Sequence, residues 1–293
     1  MGPPVSRTGG GIAVSMNELR AAIAGGVAVL GLAGFAAPPA LAQQVGGLEI
    51  EVPGVRNYAG IGPAWVPDYL GSDDYTFGVA PVALVHVRED SEVYVRLLAT
   101  SLYVNLLNSK EWNVGPVLNY RIGRKDVKDD VVDKVKSIDS TVEAGIFASW
   151  NWVGEDDPRH RFEIAAEFLQ DLGDVHGGFL VAASARYFHP VGRAVTLSLG
   201  VGTTYGSEDY MNTFFGVDSA DATSSGLSQF NADGGFRDVR ISPMVIVSLS
   251  QNWHLAGGVI YSRLVGDAAD SPVVKDRGSE NQFFAGAGVV YAW

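Results

Sequence analysis

Cysteine is absent from the 293 residues of the chain, and basic residues are few. Without cysteine the chain forms no disulfide, no thiolate metal site and no cysteine nucleophile. It has 33 acidic residues against 21 lysines and arginines, so its formal net charge is −12. Phosphate backbones attract proteins that carry an excess of lysine and arginine. We therefore expect no nucleic-acid partner.

Long apolar runs are confined to the N-terminal part of the chain. Ala21–Ala37 is almost wholly apolar, follows Arg20, and precedes a small-residue cleavage motif and two glutamines. This is the order of a secretory signal peptide. We predict a cleaved signal peptide over 1–42, of which 1–15 is a mis-assigned extension before the true start. The alternative is a retained transmembrane helix. The mature chain, 43–293, is then a single domain.

Beyond the signal peptide no stretch reaches the roughly 18 consecutive apolar residues of a transmembrane helix. Apolar and polar residues alternate instead, with the period of two that is typical of β-strands. The alternation is clearest in Trp112–Gly123, Val142–Trp152, Arg161–Phe168 and Ala194–Thr204. Since a water-soluble β-sandwich can alternate in the same way, the period alone does not separate soluble from membrane proteins.

Three further features favour a barrel in a membrane. The polar faces combine charges of both signs with glycine and serine, whereas a soluble calyx more often fills its interior with large apolar side chains. The apolar faces end in tryptophan or tyrosine, which prefer the bilayer interface. The last predicted strand ends in Tyr291 and Trp293, which resembles the C-terminal assembly signal of outer-membrane barrels. From this signal we expect the barrel assembly machinery as a partner. We therefore predict an all-β fold, a transmembrane antiparallel β-barrel.

Turn signals divide the mature chain into about eleven strands, and an even number is needed if both ends lie in the periplasm. The segment Glu92–Leu107 is long for one strand, and Ala99–Ser101 could form a tight turn within it. We therefore predict about 12 strands, with ten as the alternative. In the outer loops, a short helix is predicted over Asp129–Lys136, and Gly206–Gly235 is predicted to be a long polar loop.

The predicted inward faces carry charged residues of both signs. These lumen-facing candidates are Arg96, Arg121, Glu143, Arg161, Glu163, Glu167, Arg186 and Arg240. In a narrow barrel such charges pair across the interior and plug it, because an unpaired buried charge is costly unless water reaches it. The same residues could instead line a small polar channel. The sequence leaves both open, and the mixture of signs favours the plug.

No motif for catalysis or for binding a cofactor or metal stands out. No Gly-x-Ser-x-Gly motif supports a hydrolase built on His176 and Asp174, so we interpret His176 as a solvated loop residue. The acidic loops lack the spacing of a calcium-binding loop. The basic residues of the loop 124–136 alternate with acids, and they either meet lipopolysaccharide phosphates or simply keep the loop soluble. We predict no catalytic, cofactor-binding or metal-binding residue.

Two segments of the C-terminal part carry a family resemblance. Tyr210–Val217 reads YMNTFFGV, and Leu264–Pro272 reads LVGDAADSP. Together with Val66–Tyr75, VPDYLGSDDY, they resemble the MipA/OmpV family of outer-membrane proteins of Gram-negative bacteria. The residues of the two C-terminal segments that we single out are Tyr210, Phe215, Gly216, Val217, Gly266, Asp267, Ser271 and Pro272.

The resemblance implies a non-enzymatic barrel in the cell outer membrane of a Gram-negative bacterium, in contact with outer-membrane lipid and lipopolysaccharide. One branch of the family is named for binding a lytic transglycosylase. It is thought to link this murein hydrolase to a murein synthase, a penicillin-binding protein, in the remodelling of peptidoglycan. The other branch is described as a porin-like protein or a surface antigen. The resemblance implies no catalytic residue, and it leaves a scaffold and a small-solute channel as the two hypotheses.

Overall fold

The computed structural model describes residues 52–293, so the predicted signal peptide lies outside the described residues. These residues form a closed barrel of 12 antiparallel strands, and β1 pairs with β12 to complete the ring. The strands are β1 Tyr58–Pro67, β2 Tyr75–His86, β3 Tyr94–Leu98, β4 Ser101–Asn105, β5 Trp112–Arg121, β6 Thr141–Val153, β7 Arg161–Asp171, β8 Phe179–Val191, β9 Val195–Gly206, β10 Gly235–Ser248, β11 Trp253–Leu264 and β12 Asn281–Ala292. The predicted fold class and the first choice of strand number are confirmed.

The hairpin β3–β4 decides the strand count. Its two five-residue strands are joined at Ala99 and Thr100, and Leu98 pairs directly with Ser101. Ala99 has φ of +51°, the left-handed conformation that a two-residue connection requires. The tight turn predicted within Glu92–Leu107 is therefore present, and it divides this long alternating segment into two strands.

Aromatic residues mark the two edges of the membrane-facing surface. On four strands an aromatic residue near one end is followed eight positions later by another near the opposite end. These pairs are Trp112 and Tyr120, Phe179 and Tyr187, Trp253 and Tyr261, and Phe283 and Tyr291. At roughly 3.3 Å per residue and a tilt of about 40°, they enclose a band of about 20 Å. This height is close to the apolar band of outer-membrane barrels.

The three longest connections lie at the same end of the barrel. The connections 122–140, 207–234 and 265–280 emerge at one end, whereas both Tyr58 and Ala292 lie at the other. Outer-membrane barrels have short periplasmic turns and longer external loops. We therefore orient the long loops towards the outside of the cell and the two ends of the barrel towards the periplasm.

The outer loops are more ordered than the sequence indicates. The helix predicted over Asp129–Lys136 is only a 3₁₀ turn, Val132–Lys134, because its flanking residues bind neighbouring loops instead of continuing the helix. The segment 207–234, predicted as a polar loop, contains helices α1 Glu208–Phe215 and α2 Ser219–Ser225. The loop 265–280 contains α3 Asp267–Asp270 and α4 Pro272–Lys275. None of the helices within residues 52–293 is long and apolar enough to cross a bilayer.

An outer apolar cluster holds these loops together. Its buried members come from four different loops and are Tyr69, Val132, Val135, Val217, Leu227 and Val273. Because burial of such side chains stabilises by roughly 1.5–3 kcal/mol each, the loops form one packed cap over the barrel.

The segment before β1 lies against the inner end of the barrel. Val52 is buried in the core cluster, and a Cβ at Gly54 would lie 3.3 Å from Cγ of Arg159. Arg159 belongs to the turn between β6 and β7, and β7 is six positions from β1 in the ring of strands. Residues 52–57 therefore cross the periplasmic opening.

Candidate functional site

Helix α1 covers the outer end of the lumen. It begins after Ser207, whose hydroxyl accepts a hydrogen bond from the N–H of Tyr210 and so caps the helix. Tyr210, Met211, Phe214 and Phe215 are all buried. Their spacing places them on one side of the helix, so α1 presents an apolar, mostly aromatic face to the barrel and a polar face to the outside.

A fully buried ion pair lies beneath α1. Nε and Nη2 of Arg121 donate to the two carboxylate oxygens of Glu143 at 2.6 and 2.9 Å. Nδ2 of Asn119 donates to Oε2 of Glu143 at 2.8 Å, and Nε2 of His176 lies 3.0 Å from Oε1. Arg121, Glu143 and His176 have no exposed side-chain surface. The carboxylate has partners on both oxygens, which is the condition for an ion pair to persist away from water.

Asp171 positions His176 by organising the loop between β7 and β8. Its carboxylate accepts the N–H groups of Gly173, His176 and Gly177 at 2.8–3.0 Å, and the hydroxyl of Thr141 also donates to it. The interpretation of His176 as a solvated loop residue is therefore wrong. The loop curls around one carboxylate and turns the imidazole inwards onto Glu143.

A second buried charge cluster lies on β9 and β10. Nε of Arg237 donates to Asp238 at 2.7 Å, Arg240 pairs with the other oxygen of Asp238, and Arg240 also donates to Oγ1 of Thr204 at 2.6 Å. A register shift between Phe236 and Asp238 turns the adjacent residues Arg237 and Asp238 both inwards. Strict alternation would place Arg237 on the lipid side, so its inward position does not follow from the alternation. The high cost of arginine on that face is the signal that could have revealed the bulge.

Tyr210 of α1 touches both charge clusters. Nη1 of Arg237 donates to its hydroxyl at 2.7 Å, and the guanidinium of Arg121 lies 5.2 Å from its ring centre. The ring of His176 meets Tyr210 edge-on at 5.2 Å and Phe214 at 5.9 Å. Cation–π and edge-to-face contacts of this kind each contribute about 0.5–2 kcal/mol when shielded from water. The aromatic face of α1 is thus held by charges of the barrel wall.

The lumen-facing candidates lie on the inward side of the strands and divide into groups. Arg121 pairs with Glu143, and Nη2 of Arg161 donates to Glu163 at 3.2 Å. Arg186 donates to the hydroxyls of Ser198 and Ser242, both at 3.1 Å. The other three, Arg96, Glu167 and Arg240, share one small cavity of about 20 Å³ with Glu163, and Arg96 stacks there on Tyr103 at 4.5 Å. A cavity of this size holds about one water molecule.

The two family-motif segments meet on top of this network. The hydroxyl of Ser271 donates to the backbone oxygen of Phe215 at 2.6 Å, and Asp267 accepts the N–H of Asp233 at 2.7 Å. The other motif residues shape the loop backbone. Gly216 ends α1, Val217 pairs with Phe230, Gly266 has φ of +56° before α3, and Pro272 opens α4. Tyr291 and Trp293 stand apart from this site, at the inner aromatic edge, where Tyr291 packs against Trp253 at 4.9 Å.

The arrangement neutralises buried charge and holds the aromatic face of α1 over the outer end of the lumen. In residues 52–293 no group of three or more histidine and acidic side chains is placed to hold a metal ion. The buried groups act on one another, as a network that fixes α1 over the barrel.

Comparison with known proteins agrees with the membrane barrel. The family model described as MltA-interacting protein MipA matches residues 59–293. Outer membrane protein Omp26La of Vibrio anguillarum and outer membrane protein OmpV of Vibrio cholerae are each 30% identical over 129 residues. That match covers 44% of this chain, and the chain spans about half the length of each relative, 48%.

The likeness to solved structures is weaker. The NanC porin superposes with a TM-score of 0.46 at 10% identity, over 80% of this chain and all of that one. We infer nothing about the fold or the function from a likeness at this level. The fold is assigned from the strand pairing of the chain itself. With the family model covering its barrel, the chain belongs to the MltA-interacting protein MipA family, as a 12-stranded β-barrel of the bacterial outer membrane.

Proposed function

We propose that this barrel is a non-conducting, non-enzymatic scaffold that holds periplasmic murein-remodelling enzymes at the outer membrane. The partners would be a lytic transglycosylase and a penicillin-binding protein. The observation that carries the proposal is the position of α1 over the outer end of the lumen and of residues 52–57 across its inner end. A barrel closed in this way would act through its surfaces.

The periplasmic rim offers a surface for such partners. Exposed acidic residues occupy three successive inner turns; they are Glu89, Asp90, Glu111, Glu155 and Asp156. The same turns carry the basic residues Arg88, Lys110 and Arg159, and Arg88 lies 3.6 Å from Asp90, but acidic residues outnumber basic ones there. The turn between β10 and β11 carries no charge, so the rim is more acidic on one side. A basic face on a periplasmic enzyme would complement this arc, which favours fast and oriented association. The name of the family, which refers to an interaction with MltA, supports the same proposal.

Not every rim residue is suited to test the proposal. Asp157 pairs with Arg159, and Arg159 donates to the backbone oxygens of Gly192 and Arg193. Asn252 donates to the backbone oxygen of Ala292 at the end of β12. Substitution of these residues would disturb the barrel. Asp156 is exposed and free of such structural bonds.

The test is affinity capture of the mature barrel from its own outer membrane in mild detergent. We expect specific recovery of a lytic transglycosylase or a penicillin-binding protein, and we expect Glu155→Lys with Asp156→Lys to reduce that recovery. Asp276→Lys, on the outer loop 265–280, is the matched control and should leave recovery unchanged. Equal recovery by both variants would argue against the inner rim as the docking surface.

The alternative function is a porin-like channel for small solutes. The small cavity that the charged side chains of Arg96, Glu163, Glu167 and Arg240 share is the observation that favours it. A channel requires both closures to move. Stepwise conductance of the unmodified barrel in planar bilayers, altered by Arg96→Ala or Glu163→Ala, would support the channel and contradict the closed scaffold.

A further inference from the structure

A second cavity opens on the outer face of the cap, away from the lumen and the periplasmic rim. It has a volume of about 480 Å³ and lies among the loops 122–140, 172–178 and 207–234. Its size falls in the range of small-molecule sites. Most of its wall is polar, and the charged or amide side chains on it are Arg124, Lys136, Asp139, Asp174, Asn212, Asp218, Asp221 and Asn231.

Arg124 is the buried cation of this cavity. Its residue surface is 5% exposed, and its backbone pairs with Ile138 at the base of the loop. Nη1 donates to the backbone oxygen of Phe214 at 3.1 Å, and the guanidinium lies 6.0 Å from the ring centre of Tyr69. Across the described part of the chain, no carboxylate forms an ion pair with it. This guanidinium is withdrawn from water with no carboxylate in contact, and Asp221 of the same wall acts on it only from a greater distance. A buried guanidinium of this kind attracts an anionic group.

Asp174 is the matching anion. It sits at the tip of the loop 172–178 with φ of +53°, is exposed, and has no ion pair among residues 52–293. The other carboxylates on the wall are engaged. Asp139 pairs with Lys125, while Asp218 and Asp221 accept backbone N–H groups. The cavity therefore has a buried positive group, Arg124, and an exposed negative group, Asp174, both with unused bonding capacity, while Lys136 adds an exposed ammonium to the wall.

We propose that this cavity binds a zwitterion, an amino acid or short peptide whose carboxylate meets Arg124 and whose ammonium meets Asp174. A purely anionic ligand would face four aspartates on the wall, and a purely cationic one would face Arg124 and Lys136. A guanidinium binds a carboxylate with two parallel hydrogen bonds, which fixes the orientation of the ligand. The site faces the outside and is independent of the proposed scaffold function.

The test is titration calorimetry of the purified barrel in detergent with the dipeptide alanyl-alanine. Two blocked forms complete the ligand set: the N-acetylated dipeptide lacks the ammonium, and the C-terminal amide lacks the carboxylate. We expect saturable binding of the free dipeptide, weakened about tenfold or more by either block, since hydrogen bonds to charged groups carry that much affinity.

Variants assign each charge to its residue. Arg124→Gln keeps an N–H donor for Phe214 but removes the charge, and Asp174→Asn tolerates the left-handed backbone. Arg124→Gln should weaken the free dipeptide about tenfold and leave the amide unaffected; Asp174→Asn should weaken the free dipeptide and leave the acetylated form unaffected. Lys275→Gln and Asp270→Asn break an exposed ion pair outside the cavity and should change nothing.

Three results would overturn the proposal. The first is an absence of saturable binding of alanyl-alanine to the folded barrel. The second is equal affinity for the free and the blocked dipeptides. The third is a folded Asp174→Asn variant that binds the free dipeptide as tightly as the unmodified chain does. Because Asp174 is a surface residue, this variant remains informative if Arg124→Gln fails to fold. None of these measurements depends on the capture of periplasmic enzymes, so they test this proposal separately from the scaffold function.

Discussion

The hydroxyl of Ser271 donates a 2.6 Å hydrogen bond to the backbone oxygen of Phe215, so two segments 56 residues apart in sequence form one unit over the barrel. Phe215 is the last residue of α1, and Ser271 caps α4 by accepting the N–H of Val273. Both residues are fully buried. The bond ties the helix that covers the outer end of the lumen to the loop between β11 and β12.

Ser271→Ala should loosen the outer cap without unfolding the barrel. The change leaves a buried carbonyl without its donor, at about 1–3 kcal/mol, and removes a helix cap. We expect faster proteolytic cleavage within 207–234, with an unchanged shift between folded and heated forms on a gel. Ser228→Ala, an exposed serine of the same loop, is the control. Cleavage at equal rates in the two variants would show that the bond does not hold α1.

The ion pair of Arg121 and Glu143 should show strong thermodynamic coupling. Glu143→Gln leaves the guanidinium of Arg121 buried without a counter-ion. Arg121→Met leaves the carboxylate of Glu143 buried without a counter-ion. Each single change should lower the free energy of unfolding by about 3–5 kcal/mol. The double variant Arg121→Met with Glu143→Gln should be less destabilised than the sum of the two, because it contains no uncompensated charge.

The measurement is a double-mutant cycle from urea unfolding of the barrel in detergent or lipid. Arg263→Met with Glu280→Gln provides the control, since this pair is about half exposed and should show little coupling. Additive effects at Arg121 and Glu143 would mean that the two charges are stabilised by other groups.

The strand count and the membrane faces follow from local sequence, whereas the partners of the buried charges do not. Alternation predicts the inward side of residues such as Glu143 and Arg240, because the side-chain period of a strand is two. Which charges meet depends on register across loops, and the sequence does not specify that register. The inward position of Arg237 is not predicted for a different reason. The bulge beside Phe236 breaks the period of two on which the prediction depends.

The outer cap shows the same limit. Polar residues predominate in each loop when it is considered alone, so the sequence of each loop predicts a polar, solvated segment. Val132, Val217 and Val273 become a core only when three loops meet. His176 likewise reads as exposed until the bonds from Asp171 turn its loop inwards.

Acid should weaken the contact between the loops 122–140 and 265–280. Burial alone would raise the pKa of Asp129, but hydrogen bonds from Arg277 and from the N–H groups of Val132 and Val131 bring it below its ordinary value. A carboxyl with a depressed pKa stabilises the fold above its unfolded pKa of about 4 and loses that effect as pH falls through the lower, folded value. Cap stability should therefore decline below about pH 4.

Pepsin cleavage of the loops tests this, as the ratio of rates between the unmodified chain and Asp129→Asn at each pH. We expect the variant to be cleaved faster at pH 5, and the two rates to converge towards pH 2. Asp130→Asn, on the exposed side of the same turn, should behave like the unmodified chain at every pH. A constant ratio for Asp129→Asn would exclude its titration as the cause.

Conductance should depend on both closures together, because they lie in series along one lumen. Tyr210→Ala with Phe214→Ala removes the rings that contact Arg121 and His176 and should release α1. Val52→Asp with Val55→Asp should expel the inner segment, since both side chains pack against the apolar core. Either pair alone leaves the other end closed. We therefore expect no conductance from either double variant in planar bilayers and measurable steps from the quadruple variant. Conductance from the outer pair alone would mean that residues 52–57 do not obstruct the lumen, and the scaffold would then rest on α1 as its only closure.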